Sequence, residues 1–288
     1  MRYGRTEGRR GSGADSWQDA GKCEQAVSGI RILSFDGKGE KRAEAGREVT
    51  VLKKRILITG ATHGIGKSTA EKFLKEGWEV YGCGSSHRDR RGKEMEETYR
   101  DFHFLYADVS EYRETERMLE WCGPLDAAFN NAGIGCVPKA IHEMDLEAAR
   151  RILEVNVLGT ALCMKYECLR MLENAGGVIV NNSSVAAFKS GTGADSVYSA
   201  SKAGILRLTA EAAVRKEYWG RIKFFSIVPG WIETRMTAAD DKEEWKNRLP
   251  SGRAGTPKQA AELVFAIINF QERFESGQEF QINGGGIL

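Results

Sequence analysis

The chain has 288 residues, 41% of them hydrophobic, and a formal charge of +2. That is enough apolar material for one large α/β domain, and the balance of 42 basic against 40 acidic residues gives no electrostatic reason to expect nucleic acid or an acidic membrane as partner. The longest apolar runs are too short to span a bilayer, and six scattered cysteines and four histidines form no C-x-x-C pair and no metal-ligand spacing. We therefore expect a cytoplasmic protein with reduced thiols and no metal.

Residues 1–50 are polar, glycine-rich and non-periodic apart from one apolar patch at 27–35, and read as disordered. They lack the apolar run of a signal peptide, and interspersed Asp and Glu disfavour a transit peptide. Folding signals begin at Val51, a residue that a GTG start codon would encode, and residues 46–49 back-translate to a purine-rich, ribosome-binding-like stretch. Residues 1–50 are thus expected to be a disordered or non-native extension before a single domain over 51–288. The nucleotide sequence checks this, since any codon but GTG at Val51 removes the idea of a start there.

The β-branched run at 55–59 predicts a buried strand. Gly60-Ala61-Thr62-His63-Gly64-Ile65-Gly66 follows, then a helical pattern over 67–76 ending at Gly77. Strand, glycine turn and helix together make a phosphate-binding loop, although G-x-x-x-G-x-G differs from the more familiar G-x-G-x-x-G spacing. A second strand is expected at 79–83. Where many NAD enzymes carry an acidic residue for the ribose 2′-hydroxyl, this chain has Gly84-Ser85-Ser86-His87-Arg88. Hydroxyls and cations there favour a 2′-phosphate, so NADP(H) is the favoured cofactor and NAD(H) the possible one. A third strand is expected at 102–107 before Asp108-Val109, and a fourth at 125–129 before Asn130-Asn131-Ala132-Gly133. Strands and helices alternate at the pace of right-handed βαβ units, predicting a doubly wound, Rossmann-type parallel sheet with helices on both faces. Ligands of such sheets bind at the carboxyl ends of the strands, where Gly60–Gly66, Ser85, Asp108 and Asn131 fall.

A long amphipathic stretch at 143–172 is interrupted at 155–159, and Asn156 inside it implies a kink or a buried polar task. A fifth strand is expected at 177–181, ending at Ser183-Ser184, and a helix at 196–216. On that helix Tyr198 and Lys202 lie four residues apart and so share a face. An ammonium beside a phenol favours the phenolate, by about 1–3 pKa units, which would bring Tyr198 towards acid–base work at neutral pH. A sixth strand at 222–228 is closed by Pro229-Gly230, a helix with Pro in its first turn follows at 257–270, and a last strand is expected at 279–282. Residues 235–252 are polar and charged with Met236, Trp245 and Leu249 interspersed, a pattern expected of a substrate lid.

From residue 53 to the end the chain resembles the short-chain dehydrogenase/reductase family. The resemblance rests on Thr59-Gly60-x-x-x-Gly64-x-Gly66, Asn130-Asn131-Ala132-Gly133, Asn156, Ser184, Tyr198-x-x-x-Lys202 and Pro229-Gly230, all in the family's order and spacing. It implies hydride transfer between NADP(H) and a small carbonyl or secondary-alcohol substrate. Tyr198 would be the general acid or base, Lys202 would lower its pKa and hold the nicotinamide ribose, and Ser184 would polarise the substrate oxygen. Asn156 would relay protons through a water. Cofactor contacts would come from Gly60, Thr62, His63, Gly64, Ile65, Gly66, Ser85, Asp108, Val109, Asn131, Ala132, Gly133, Tyr198, Lys202, Pro229, Gly230, Ile232 and Thr234. The family also implies a homo-oligomer, tetramer or dimer. Residues 229–237 and 277–285 are similar to 3-oxoacyl-acyl-carrier-protein reductases, yet the ends of the two long helices, Glu173-Asn174-Ala175 and Glu217-Tyr218-Trp219, lack the basic residues that would meet an acidic carrier. The rival expectations are an NAD-dependent sugar, polyol or hydroxysteroid dehydrogenase and a nucleotide-sensing regulator without catalysis. The regulator is disfavoured because both Tyr198 and Lys202 are kept.

Overall fold

The computed structural model describes residues 52–190, 192–238, 243 and 247–285, and the backbone of Ile30–Arg31. The expectation for residues 1–50 lies outside the described residues, except that Ile30–Arg31 pair antiparallel with Leu52–Lys53. Much of the expected lid, 239–242 and 244–246, also lies outside them.

Seven parallel strands form one sheet: β1 (Arg55–Thr59), β2 (Glu79–Gly84), β3 (Phe102–Tyr106), β4 (Ala127–Asn130), β5 (Gly177–Asn182), β6 (Ile222–Pro229) and β7 (Glu279–Ile282). Their spatial order is β3-β2-β1-β4-β5-β6-β7. The order reverses between β1 and β4, which is where an open α/β sheet forms its ligand crevice. Helices α1 (Gly64–Lys75), α2 (Arg91–Thr98) and α7 (Pro257–Asn269) pack on one face. On the other lie α3 (Tyr112–Cys122), α5 (Thr160–Leu172) and α6 (Ser196–Ala213), with α4 (Leu146–Leu153) against α6. The helices α2 and α3 were not placed by sequence periodicity. The first is short, and only Gly92 and Met95 are buried on it, which leaves too little apolar signal for a period of 3.6.

Strand alternation divides the core in two. Ile56 and Ile58 face α1 and α7, while Leu57 between them faces α3 and α5. Phe224 and Phe225 do the same on β6: Phe224 packs with Tyr218 on one side, and Phe225 meets Phe274 and Phe280 on the other. The adjacent pair therefore fills two cores and has a packing role. Two caps fix the ends of helices near the rim. Asp195 Oδ1 accepts from the amides of Val197 and Tyr198 at 2.8 and 3.3 Å, and Thr256 forms a capping box with Gln259 ahead of Pro257.

Between α4 and α5 the rod continues as a π segment, Glu154–Gly159. The interruption expected at 155–159 is this π segment, and Asn156 sits in it as a fully buried polar residue.

Candidate active site

The glycine loop connects β1 to α1 at the reversal point of the sheet. Gly60 has φ of 64°, a left-handed conformation that costs glycine little. Gly66 is required by contact: a Cβ there would lie 2.2 Å from the Gly60 carbonyl oxygen and 2.5 Å from Asn131 Nδ2. Helix α1 begins at Gly64, three residues before the periodic signal, with no acidic residue in its first turn and no side-chain cap from His63. Its first N–H groups and the positive end of its dipole face the crevice, an arrangement suited to a pyrophosphate.

A second turn locks onto this loop. Thr59 Oγ1 accepts from the amides of Asn131 and Ala132, both at 3.0 Å. Asn131 Nδ2 donates to the carbonyls of Thr59 and Gly60 at 3.0 and 3.2 Å. Asn182 Nδ2 donates to Asn131 Oδ1 at 3.0 Å, and the Asn182 carbonyl accepts from Lys202 Nζ at 2.8 Å. Asn182 is thus the bridge from the glycine turns to the helix of Tyr198. Sequence reasoning missed it, since it resembles any polar residue at a strand end.

Alternation separates the two serines as β5 ends. Ser183 Oγ turns inward and donates to the Lys202 carbonyl at 2.8 Å, while Ser184 Oγ accepts from the Ala186 amide at 3.2 Å and stands near enough to the Tyr198 phenol to lower its pKa. Lys202 is buried and its Nζ stands 5.7 Å from the centre of the Tyr198 ring. Asn156 Oδ1 accepts from the Ile134 amide, and its Nδ2 donates to the Ile134 carbonyl and to Ser201 Oγ, all at 2.9 Å. A Cβ on Gly133 would lie 3.3 Å from both Asn156 Oδ1 and Lys202 Nζ, which places these two expected catalytic residues against one turn. The Asn156 carbonyl itself accepts from Thr160 Oγ1 at 2.7 Å.

The electrostatics differ from the sequence expectation at one point. Burial pushes the Tyr198 phenol above its ordinary 10.0, and Ser184 pulls it only part of the way back. Lys202 does not bring the phenol down in this arrangement, because its own ammonium is desolvated, which lowers it to about 8, and is directed at the Asn182 carbonyl.

The other expected contacts occupy the same rim. Thr234 Cγ2 would meet a Cβ on Gly64 at 3.2 Å, and Ile232 is buried beside Gly255. Gly230 follows Pro229 at the end of β6, close against Asn283. Ile65 packs into the α1 core, and Val109 is buried against Gly159. Asp108 is committed to the protein: its carboxylate accepts from the Ser110 amide and hydroxyl at 3.0 and 2.7 Å and pairs with Arg151. Those donors outweigh its burial and hold its carboxyl below the usual range.

Over β2, Ser85–Arg88 are exposed. The fold brings back a carboxylate that the strand end lacks, for Asp89 Oδ2 stands 3.3 Å from His63 Nε2. His63 Nδ1 is 2.7 Å from Thr62 Oγ1, and burial lowers the ring's pKa despite Asp89. A cavity of about 250 Å³ opens beside the Tyr198 end of the site, lined among others by Cys136, Val137, Met144, Ala148 and the α6 cap Asp195. Gly135, next to Cys136, lies against the Tyr198 ring. Among the described residues no group of three or more His, Cys, Asp or Glu could hold a metal ion, and no helix is long and apolar enough to cross a membrane.

The family model described as short chain dehydrogenase matches residues 54–245. The chain belongs to the short-chain dehydrogenase family. Among its relatives is cyclohexanol dehydrogenase of Acinetobacter sp. (strain SE19), 32% identical over 80% of this chain and 94% of that protein. The solved structure described as ElxO with NADP bound superposes with a TM-score of 0.74 at 28% identity, over 81% of this chain and 98% of that one. A 3-oxoacyl-[acyl-carrier protein] reductase with bound NAD from Brucella melitensis does so with a TM-score of 0.75 at 27% identity, over 82% and 91%. As a short-chain dehydrogenase the chain is an oxidoreductase of small molecules that uses a nicotinamide dinucleotide, and its structural neighbours include both NADP-bound and NAD-bound members.

Proposed function

We propose that the chain transfers a hydride between NADP(H) and a carbonyl or secondary-alcohol substrate, with Tyr198 as general acid in reduction and general base in oxidation. The observation that carries this reading is the buried Lys202 ammonium on the same helix face as Tyr198, its Nζ 5.7 Å from the ring centre, with Ser184 close enough to act on the phenol. When bound, the nicotinamide supplies or accepts the hydride. Ser184 and Tyr198 hold the substrate oxygen between two hydroxyls, and the Tyr198 proton moves to that oxygen as negative charge develops on it. Lys202 keeps a cation behind the phenol, and Asn182 fixes that cation through its carbonyl. Asn156 clamps Ile134, which keeps the Asn131–Gly133 turn beside Lys202, and its carbonyl faces Thr160, where a proton-relay water would bind.

NADP(H) preference draws on Ser85, Arg88 and His63 around the position of a 2′-phosphate. A second reading, an NAD-dependent sugar, polyol or hydroxysteroid dehydrogenase, draws on Asp89, whose carboxylate stands near His63. Titration with NADPH and NADH separates the two. A homo-oligomer in the cytoplasm fits the family and the five free cysteines among the described residues. Light scattering tests the assembly.

Tyr198→Phe is the decisive variant. Turnover in a carbonyl and alcohol panel that includes cyclohexanol and cyclohexanone should fall by about 10²–10⁴-fold while NADPH affinity is nearly kept. A fully active Tyr198→Phe enzyme removes the mechanism, and a chain that binds NADPH without turning over any carbonyl returns the regulator reading.

A further inference from the structure

We infer that Glu167 is a protonated carboxylic acid paired through two hydrogen bonds with the Asn130 carboxamide, and that this buried proton positions the turn carrying Asn131. Glu167 lies on α5, fully buried against β4 and β5, and none of the steps above uses it. Its Oε2 accepts from Asn130 Nδ2 at 2.9 Å. Its Oε1 has no partner, and neither does Asn130 Oδ1, and both atoms are shut off from solvent. Two acceptors without donors on one buried acid–amide pair are costly as they stand. A single proton on Oε1, donated to Asn130 Oδ1, satisfies both at once and closes a two-point ring.

The orientation of Asn130 is fixed from the far end of its network. The Ile205 carbonyl can only accept, so Thr209 Oγ1 donates to it, at 2.8 Å. Thr209 must then accept from Asn181 Nδ2, at 2.9 Å. Asn181 therefore presents Oδ1 to Asn130 Nδ2, at 3.0 Å. Asn130 has both its amide hydrogens spent, on Asn181 and Glu167, and flipping its amide would break both bonds.

Among the described residues no cation offsets a charge at Glu167. Its surroundings include Asn130 and Asn181 on the strands, Met164 beside Asn181, and the thiols of Cys83, Cys122, Cys163 and Cys168 from β2, α3 and α5. Burial raises all four thiols, so they stay neutral at the pH where the carboxyl titrates. Desolvation raises the carboxyl itself to about 8, against which the Asn130 bond works only in part. One peptide bond separates Asn130 from Asn131, so a charge at Glu167 would push on the hinge of the cofactor turn. Glu167 is a positioning residue that acts through Asn130.

The sign of the linkage follows. The unfolded chain releases this proton near 4.5 and the folded chain keeps it until about 8. The folded state binds the extra proton between those values, so stability falls as pH rises through that window and levels off above it. Glu167→Gln reproduces the neutral acid, its amide hydrogen replacing the acid proton, and should fold. Two measurements on the whole chain, needing neither cofactor nor substrate, test the idea apart from the proposed activity. Infrared difference spectra between wild type and Glu167→Gln, taken between those two pH values in H₂O and D₂O, should show one neutral, exchange-sensitive carboxylic acid in the wild type alone. Denaturant stability across the same window should fall by one proton's slope more steeply in wild type than in Glu167→Gln. A missing acid band, an unchanged slope, or a Glu167→Gln chain that does not fold overturns the inference.

Discussion

The sheet rim is built in opposite ways over its centre and over its β2 side. Over β1, β4 and β5 the glycine turns and the helix of Tyr198 are tied together: Thr59, Gly60, Asn131, Asn182 and Lys202 form one chain of hydrogen bonds, and Gly66 leaves no room for a methyl group. Over β2, Ser85–Arg88 are exposed, and what returns to the rim is the single carboxylate of Asp89 beside His63. The difference teaches where variation is cheap. The centre holds parts that must keep a fixed geometry for proton and hydride to meet, whereas the β2 side is a surface loop whose charges can change without disturbing the core.

Three substitutions probe that contrast. Gly66→Ala should do the most damage, because the added carbon lands on a backbone carbonyl that has no rotamer to escape through. We expect a cost of about 3 kcal/mol in stability and loss of cofactor binding, read by thermal melting and cofactor titration. A variant that binds normally would mean the centre is looser than its hydrogen bonds imply. Asn182→Ala comes next. It strips the donor from Asn131 Oδ1 and should cost about 2 kcal/mol, with a raised cofactor Kd and a fold preserved by circular dichroism. Ser85→Asp should leave stability almost untouched and move the NADPH/NADH preference towards NADH by about tenfold, or 1.4 kcal/mol. Unchanged selectivity there would sever the β2 loop from cofactor choice and turn attention to the His63–Asp89 pair.

Much of this was readable from the chain. The inner strands β1, β2, β4, β5 and β6 could be placed because apolar runs buried on both faces announce themselves, and the glycine loop, Asn131, Tyr198 and Lys202 could be placed because their spacing is local. What stayed hidden depends on residues far apart in sequence. The Asn182–Asn131 bond and the Glu167–Asn130 pair span 51 and 37 positions, and nothing about an isolated Asn or Glu marks it as buried. Asp89 was hidden in another way, since the bend at residues 86–89 carries it back to the glycine loop. The direction of the Tyr198 shift also escaped, because spacing places a cation near a phenol but says nothing of how dry the pair is.

The π segment Glu154–Gly159 has a consequence for how this chain tolerates insertions and deletions. One residue more than an α-turn needs is wound in there, so α5 keeps the phase it would have if the helix were one residue shorter. Removing one residue from the segment would restore an unbroken α-helix and leave α5 in phase with α4, whereas removing one from the regular turns of α5 would rotate everything after it by about 100°. Cys163, Met164 and Glu167 would stay on the sheet after the deletion in the π segment, and the loss would fall on Asn156 and its bonds to Ile134. The segment works as a slack turn: it takes up a one-residue change that elsewhere in the helix would put the core out of step, and Asn156, which lies in it, bears the cost.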